Sequence, residues 1–416
     1  MGRTGTSWAS PEALWEERVQ RGAHPVAYPA IRGLRGRAVV RVPRVGVVVN
    51  DAAVAREVLL DTERFSKVGP GSPSDLWTPV LGPSVLLNME GAEHAAMRRA
   101  LGPIFSPRAV RELVDAGREP GGPLDELALR LDKGETVDLA ATVAAQAGAV
   151  ICGLVGLPPT DAAVRESMAA AQAVTGMVRL HRRRLTAAQA RHARGVLEGL
   201  TAPARMAYRA GDEGTVPGRM RALGLSEREA MGAVGAFVLT GTETIQSFVP
   251  RLLAIAHDTG WMDRLLGVPG PGAATGPAAA NGGGDSDLRR RMVEEGLRVT
   301  VPTPAMLRSV VAGAEVGGER VRPGDRVVIA TVNCCRAEGG FDPDRAISAG
   351  VRHLWFGAGP HFCLGMPLAM AQVNAVLDAL APVAAAGGTP VVGRRRVARG
   401  VLVPAYRELA ITLART

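Results

Sequence analysis

Apolar residues recur every three to four positions through most of this chain, the spacing of helices that bury one face. The periodicity predicts helices over residues 93–104, 108–116, 124–131, 137–155, 161–181, 186–210 and 227–257. Another falls near 288–299, and a strongly apolar helix is expected over 366–383. Ser226 with Glu229 has the form of a capping box at the head of the 227–257 helix. Alternation of the β type is confined to short stretches. Val39, Val40, Val42, Val45, Val47, Val48 and Val49 cluster around turn-forming Pro43 and Gly46, which predicts an antiparallel hairpin. Asp51 then stands as the cap of a helix over 52–60. Short strands are expected near 309–311, 326–329 and 401–403. With no strand–helix–strand alternation and no internal repeat, the fold class expected is mainly α with small antiparallel β-sheets.

Two segments lack periodicity. Residues 66–85, rich in Gly, Pro and Ser, read as a long loop of the kind that forms lids and binding segments. Residues 267–285 are Gly/Ala/Pro low-complexity sequence and read as an exposed, mobile insertion without a core. At 416 residues the chain exceeds the usual single core, which leaves two domains or one large one.

Composition narrows the class. Hydrophobic residues make up 47% and charged residues 21%, an ordinary globular balance, while 4% aromatics implies a core of aliphatic helix faces. The N-terminus carries no apolar run long enough for a signal peptide, and no stretch of about 18 uninterrupted apolar residues predicts a membrane span. A cytoplasmic protein without membrane attachment is therefore expected. The net charge of +9 comes almost wholly from arginine. Its runs at 182–184, 289–291 and 394–396 are scattered and lack interleaved aromatics, so they read as solvated faces, not as a nucleic-acid interface. One of them is placed to steer an acidic protein partner. The cysteines, Cys152, Cys334, Cys335 and Cys363, fit neither a zinc spacing nor a secreted disulfide framework. Cys152 lies in an apolar run and reads as a small buried hydrophobe, and Cys334 and Cys335 as packing residues.

Cys363 differs. It sits in Phe356-Gly-Ala-Gly-Pro-His-Phe-Cys-Leu-Gly365, directly before a helix. Glycines let the backbone approach a flat cofactor and turn N–H groups toward sulfur, and the helix N-terminus favours an anionic ligand. Both favour thiolate over thiol. Three further patterns precede it. Glu295 and Arg298, three apart, share a helix face and can pair. Thr240-Gly-Thr-Glu-Thr244 interrupts an apolar helix with groups that compete for backbone carbonyls, which predicts a locally opened helix with bound water. His94 and Arg98 project from one helix face, and Arg308 follows much later.

Together these residues resemble the cytochrome P450 superfamily, in its soluble, actinomycete-like, ferredoxin-dependent bacterial class. The cysteine loop matches every fixed position of FGxGxHxCxG, and the likeness runs from about Val39 to Thr416, including Glu63-Arg-Phe65 and Leu101-Gly-Pro-Ile-Phe105. The resemblance implies one domain over 1–416, with a β-rich part at about 37–60 and 309–330 and a helical haem-binding part at about 93–300 and 356–383. It implies haem b, iron protoporphyrin IX, with Cys363 as metal ligand. His94, Arg98, Gly241, Arg308, Phe356, Gly357, His361 and Gly365 would contact the cofactor, with His361 and Arg308 on its propionates. Glu295 and Arg298 match the ExxR ion pair; Arg345, in Phe341-Asp-Pro-Asp-Arg345, is assigned as its third member, although Ser348 stands at the usual spacing. Glu243 and Thr244 match the acid–alcohol pair that delivers protons to dioxygen, with Thr240 and Thr242 as departures from the motif.

The implied activity is insertion of one oxygen atom from O2 into a mainly apolar small molecule of specialised metabolism. A coupling or ring-forming haem-thiolate enzyme is the alternative, and a haem-based sensor the alternative of another class. Leu76, Trp77, Val80, Phe237, Thr240, Val301, Pro302 and Thr303 are the expected pocket lining. The expected partners are the substrate, O2, and ferredoxin with its reductase drawing on NAD(P)H. Arg179 and 182–184 could receive a carrier protein, and the chain is expected to be a monomer.

Overall fold

The valine hairpin forms where the pattern places it. In the computed structural model, which describes residues 11–116, 120–179, 182, 184–268 and 283–414, β1 (Val39–Val42) pairs antiparallel with β2 (Gly46–Val49). Gly46 has a φ of 124°, and a Cβ there would lie 2.1 Å from the carbonyl oxygen of Arg326, so only glycine lets the strands close. The other strands are β3 (Phe65–Ser66), β4 (Val137–Asp138), β5 (Met306–Val310), β6 (Ala314–Val316), β7 (Glu319–Val321), β8 (Arg326–Ile329), β9 (Pro390–Val397) and β10 (Tyr406–Leu413). They form a five-stranded sheet in the order β1-β2-β8-β5-β3, a three-stranded sheet β4-β10-β9, and the hairpin β6-β7. Every pair is antiparallel except β2 with β8, where Val48 aligns with Val328. The strand expected near 401–403 is displaced. Those residues are irregular, and the strand begins at Tyr406, beyond Pro404, which has no N–H to give a ladder.

Helices supply the rest. Asp51 caps Ala52–Leu60, accepting from the amides of Ala53 and Val54. Residues 66–85 are not a continuous loop: they hold the helix Pro73–Leu81, which starts with proline in the first turn, where its missing N–H costs nothing. The 161–181 helix stops at Thr175, and the 137–155 segment is β4 followed by Leu139–Leu154, capped by Asp138. Residues 186–210 divide into Ala187–Thr201 and Arg205–Ala210, joined by a short 3₁₀ turn. The Ser226–Glu229 capping box is present, but its long helix divides into Glu227–Gly241 and Glu243–Asp258. Helices Pro11–Ala23, Ala27–Gly33, Val216–Ala222, Met262–Leu266 and Thr331–Arg336 had no expectation. Of the 267–285 insertion, residues 269–282 lie outside the described residues.

The centre of the core is Leu139–Leu154 packed against Glu243–Asp258, with Val143, Leu252 and Leu253 wholly excluded from solvent. The N-terminal helix is pinned to this centre by charge. Glu16 is buried between Arg251 and Arg336, with contacts of 3.1 Å from Arg251 Nε and from Arg336 Nη2. The helix Met366–Gly387 is long and apolar enough by composition to cross a membrane, and half of its apolar window is buried within the fold.

Candidate active site

Cys363 is placed between a turn and a helix. A 3₁₀ turn, Gly359–His361, precedes it, the helix Met366–Gly387 follows, and its amide donates to the carbonyl of Phe356 at 3.0 Å to close the loop. Gly359 has a φ of 67°, and a Cβ there would sit 2.9 Å from the Leu59 carbonyl oxygen, so this turn demands glycine. The thiol opens into an internal cavity of about 530 Å³, accessible from within the cavity yet surrounded by protein. Burial pushes the thiol up. The Gly365 and Met366 amides, Arg98 and Lys67 act in the opposite direction and favour thiolate.

Basic side chains gather along the same cavity. Lys67, His94, Arg98, Arg308 and His361 all line it. Arg308, on β5, donates through Nη1 to the Leu307 carbonyl at 2.9 Å, while its buried Nε has no partner. His361 bonds through Nε2 to the Glu90 carboxylate, its Nδ1 is unpartnered, and its ring lies 4.2 Å from that of His94. Burial brings Arg308 down to about 10 and His94 to about 4. Burial, reinforced by Arg308, brings Lys67 to about 7. Burial alone would raise Glu90, but hydrogen bonds from His361, the Lys67 amide and Ser66 hold it near 2.

The helix break forms the site's proton-bearing side. Thr242, at φ −87° and ψ −53°, separates the two helices. The Thr240 hydroxyl donates to Ala236 (2.8 Å), that of Thr242 to Val238 (2.9 Å) and that of Thr244 to Thr240 (3.2 Å), each bonding back one turn. Gly241 also lets the helices approach: a Cβ there would lie 2.4 Å from Ile151 Cδ1. Glu243 is buried and accepts from the Thr175 hydroxyl at 2.5 Å, and its Oε2 has no partner. Burial pushes Glu243 up to about 7, with the Thr175 hydrogen bond opposing. Glu243 and Thr244 both line the cavity.

Behind the site, Glu295 and Arg298 make a two-pronged pair of 2.7 and 2.6 Å with no solvent exposure at the guanidinium. Arg298 also donates to the carbonyls of Cys335, Gly339 and Gly340. Arg345 Nη1 lies 4.0 Å from Glu295 and donates to the carbonyls of Glu338 and Gly340, whereas Ser348 meets Glu338 through its amide. Cys335 is pushed up to about 12 by burial, Cys334 and Cys152 rise for the same reason, and all three are buried as packing residues.

Of the expected lining, Leu76, Trp77, Phe237, Thr240, Pro302 and Thr303 face the cavity, together with Phe356, Gly357, Gly365 and Gly241. Val80 and Val301 are buried without lining it. Sequence reasoning missed Lys67, Glu90, Thr175, Trp355 and Gln372. Lys67 carried a usable signal, because it and Lys133 are the only lysines in an arginine-rich chain.

The residues fit an iron porphyrin. A thiol is available to the metal, and walls such as Leu101, Phe105 and Phe237 are apolar. Buried Arg308 Nε and Trp355 Nε1 lack partners, the state expected of donors meant for an anionic, polar-edged ligand.

Comparison with known proteins agrees. The Cytochrome P450 family model matches residues 287–380, which contain the ion pair and the cysteine loop. The 20-oxo-5-O-mycaminosyltylactone 23-monooxygenase of Streptomyces fradiae is 28% identical over 313 residues, spanning 71% of this chain and 66%, just under two thirds, of that protein. Cytochrome P-450 monooxygenase DoxA of Streptomyces sp. strain C5 is 29% identical over 376 residues and 80% of each chain. A mutant of P450 EryK in complex with erythromycin B superposes with a TM-score of 0.72 over 97% of both chains at 23% identity. Fold, site and relatives define a haem-thiolate enzyme of the monooxygenase class. The chain is similar to the cytochrome P450s, by family model over residues 287–380 and by relatives and fold along most of its length, and its cofactor is iron protoporphyrin IX.

Proposed function

We propose that this enzyme inserts one atom of O2 into a mainly apolar small organic molecule of specialised metabolism. The observation that carries this reading is one apolar cavity lined by the Cys363 thiol and by the Glu243–Thr244 pair. In it, Cys363 would hold the iron. Arg98, Arg308, His94 and His361 receive the two propionates, a task that suits fixed arginine donors. Gly241, Phe356, Gly357 and Gly365 would border the ring, and Glu295, Arg298 and Arg345 would brace the loop from behind. Bound haem supplies the dioxygen-activating chemistry. The chain's own work is to exclude water, orient the substrate and move protons. Glu243 Oε2 is the free carboxyl oxygen, and a carboxyl near neutrality can both give and regain a proton at working pH. Thr244, next to it in the chain, presents the second exchangeable group.

The names of the Streptomyces fradiae relative and of the EryK complex support a specialised metabolite as substrate. Electrons would come from NAD(P)H through a reductase and an acidic ferredoxin, which the +9 net charge favours. A carrier-bound substrate has less support, since Arg179 turns onto the carbonyls of Gly176 and Val178 and Arg184 onto Asp75.

Turnover under ¹⁸O-labelled dioxygen tests the reaction, with candidate substrates found by their Soret shift. One labelled atom per product is expected; an unlabelled product would assign oxidative coupling or desaturation instead. The acid also sets a pH dependence. Glu243 carries its proton below about 7 and loses it above. Product formed per NAD(P)H should therefore fall on the alkaline side of that value, and Glu243→Gln should lower the ratio and flatten this limb. An alkaline limb unchanged by the substitution removes Glu243 from the reaction.

A further inference from the structure

We propose that Thr175 is a positioning residue for Glu243, holding one carboxyl oxygen so that the other remains the proton-exchanging atom. Thr175 is the last residue of Asp161–Thr175, on a different helix from Glu243 and 68 positions away. Its hydroxyl lies 2.5 Å from Glu243 Oε1 and 2.8 Å from the Ala171 carbonyl, and both side chains line the cavity. A hydroxyl has one proton to donate and two lone pairs. Toward ionised Glu243, Thr175 donates. When the proton sits on Oε2, Oε1 is the carbonyl oxygen and goes on accepting from the same hydroxyl. One geometry therefore serves both protonation states, and Glu243 needs no rotation to lose or regain a proton. Among the described residues, burial and Thr175 are the two influences that set this acid. The nearest cation along that segment, Arg179, is committed to the Gly176 and Val178 carbonyls. Valine in place of threonine would keep the shape and leave a buried carboxylate without its donor.

This inference rests on Glu243 as the acid of the proposed reaction. Infrared difference titration of the haem-loaded protein reads the tie directly through the Glu243 carboxyl stretch, assigned by its loss in Glu243→Gln. The wild-type band should titrate near 7. In Thr175→Val it should titrate about one to two units higher, the range expected for a lost hydrogen bond to a charged acceptor. Thr175→Ser should restore the wild-type position. A Thr175→Val band titrating with wild type, or a Thr175→Ser band displaced as far as that of valine, overturns the proposal. If the valine variant fails to load haem, Thr175→Ala gives the same reading. The titration reports the tie alone and Glu243→Gln turnover reports the reaction, so either can fail without the other.

Discussion

Replacing Cys363 with serine should abolish the red-shifted Soret absorption that the reduced protein shows with carbon monoxide, and turnover should fall to background. The argument is local. Sulfur is brought to the cavity by a loop closed between the Cys363 amide and the Phe356 carbonyl, with glycine required at 359. The Gly365 and Met366 amides favour the thiolate against the effect of burial. A serine hydroxyl is far less acidic than a thiol and cannot supply the electron donation of a thiolate, so the band and the activity disappear together even if haem still binds. Haem-loaded Cys363→Ser that keeps the red-shifted band would remove Cys363 from the metal.

The largest effect on stability should come from Arg298→Ala. Arg298 is fully buried, neutralises Glu295 and supplies donors to three carbonyls. Its removal leaves buried Glu295 without its close counter-charge, with only the Asp342 amide and the more distant Arg345 beside it, and strips donors from three carbonyls, which costs about 3–5 kcal/mol. Against a total stability of about 5–15 kcal/mol this is a large share. Urea denaturation should show a much lower midpoint, with haem lost at lower denaturant. Arg345→Ala provides the contrast: this guanidinium is partly exposed and 4.0 Å from Glu295, so its ion pair is worth about 1 kcal/mol or less. Equal midpoints for Arg298→Ala and wild type would show that the pair does not brace the fold.

What could be read from the sequence was what neighbouring residues decide together. The valine hairpin, the Asp51 cap, the Ser226–Glu229 box and the glycine-framed cysteine loop each sit within about ten residues. The helix division at Thr242 was foreshadowed by hydroxyls competing for carbonyls. Local composition also misled: proline and glycine in 66–85 concealed the helix Pro73–Leu81, and valines at 401 and 403 suggested a strand that starts after Pro404. Glu90 and Thr175 were invisible because their meaning lies in partners far along the chain. Glu90 matters through His361, and Thr175 through Glu243. No periodicity records such pairings.

Val301 is buried and adopts a φ of 42°, a left-handed conformation that a β-branched residue rarely tolerates. Such a conformation persists only where the surroundings over-determine it, and here the Val301 amide is tied to Leu297 at 3.0 Å. The direction in which the chain leaves the ion-pair helix is thus set by main-chain geometry upstream of the pocket. Residues 302–305, which line the cavity, inherit that direction, and Pro302 and Pro304 help to hold it. On the proposed function, exchanging Thr303 or Ala305 should change which substrates bind while the two prolines and the ion-pair helix keep the path of the chain.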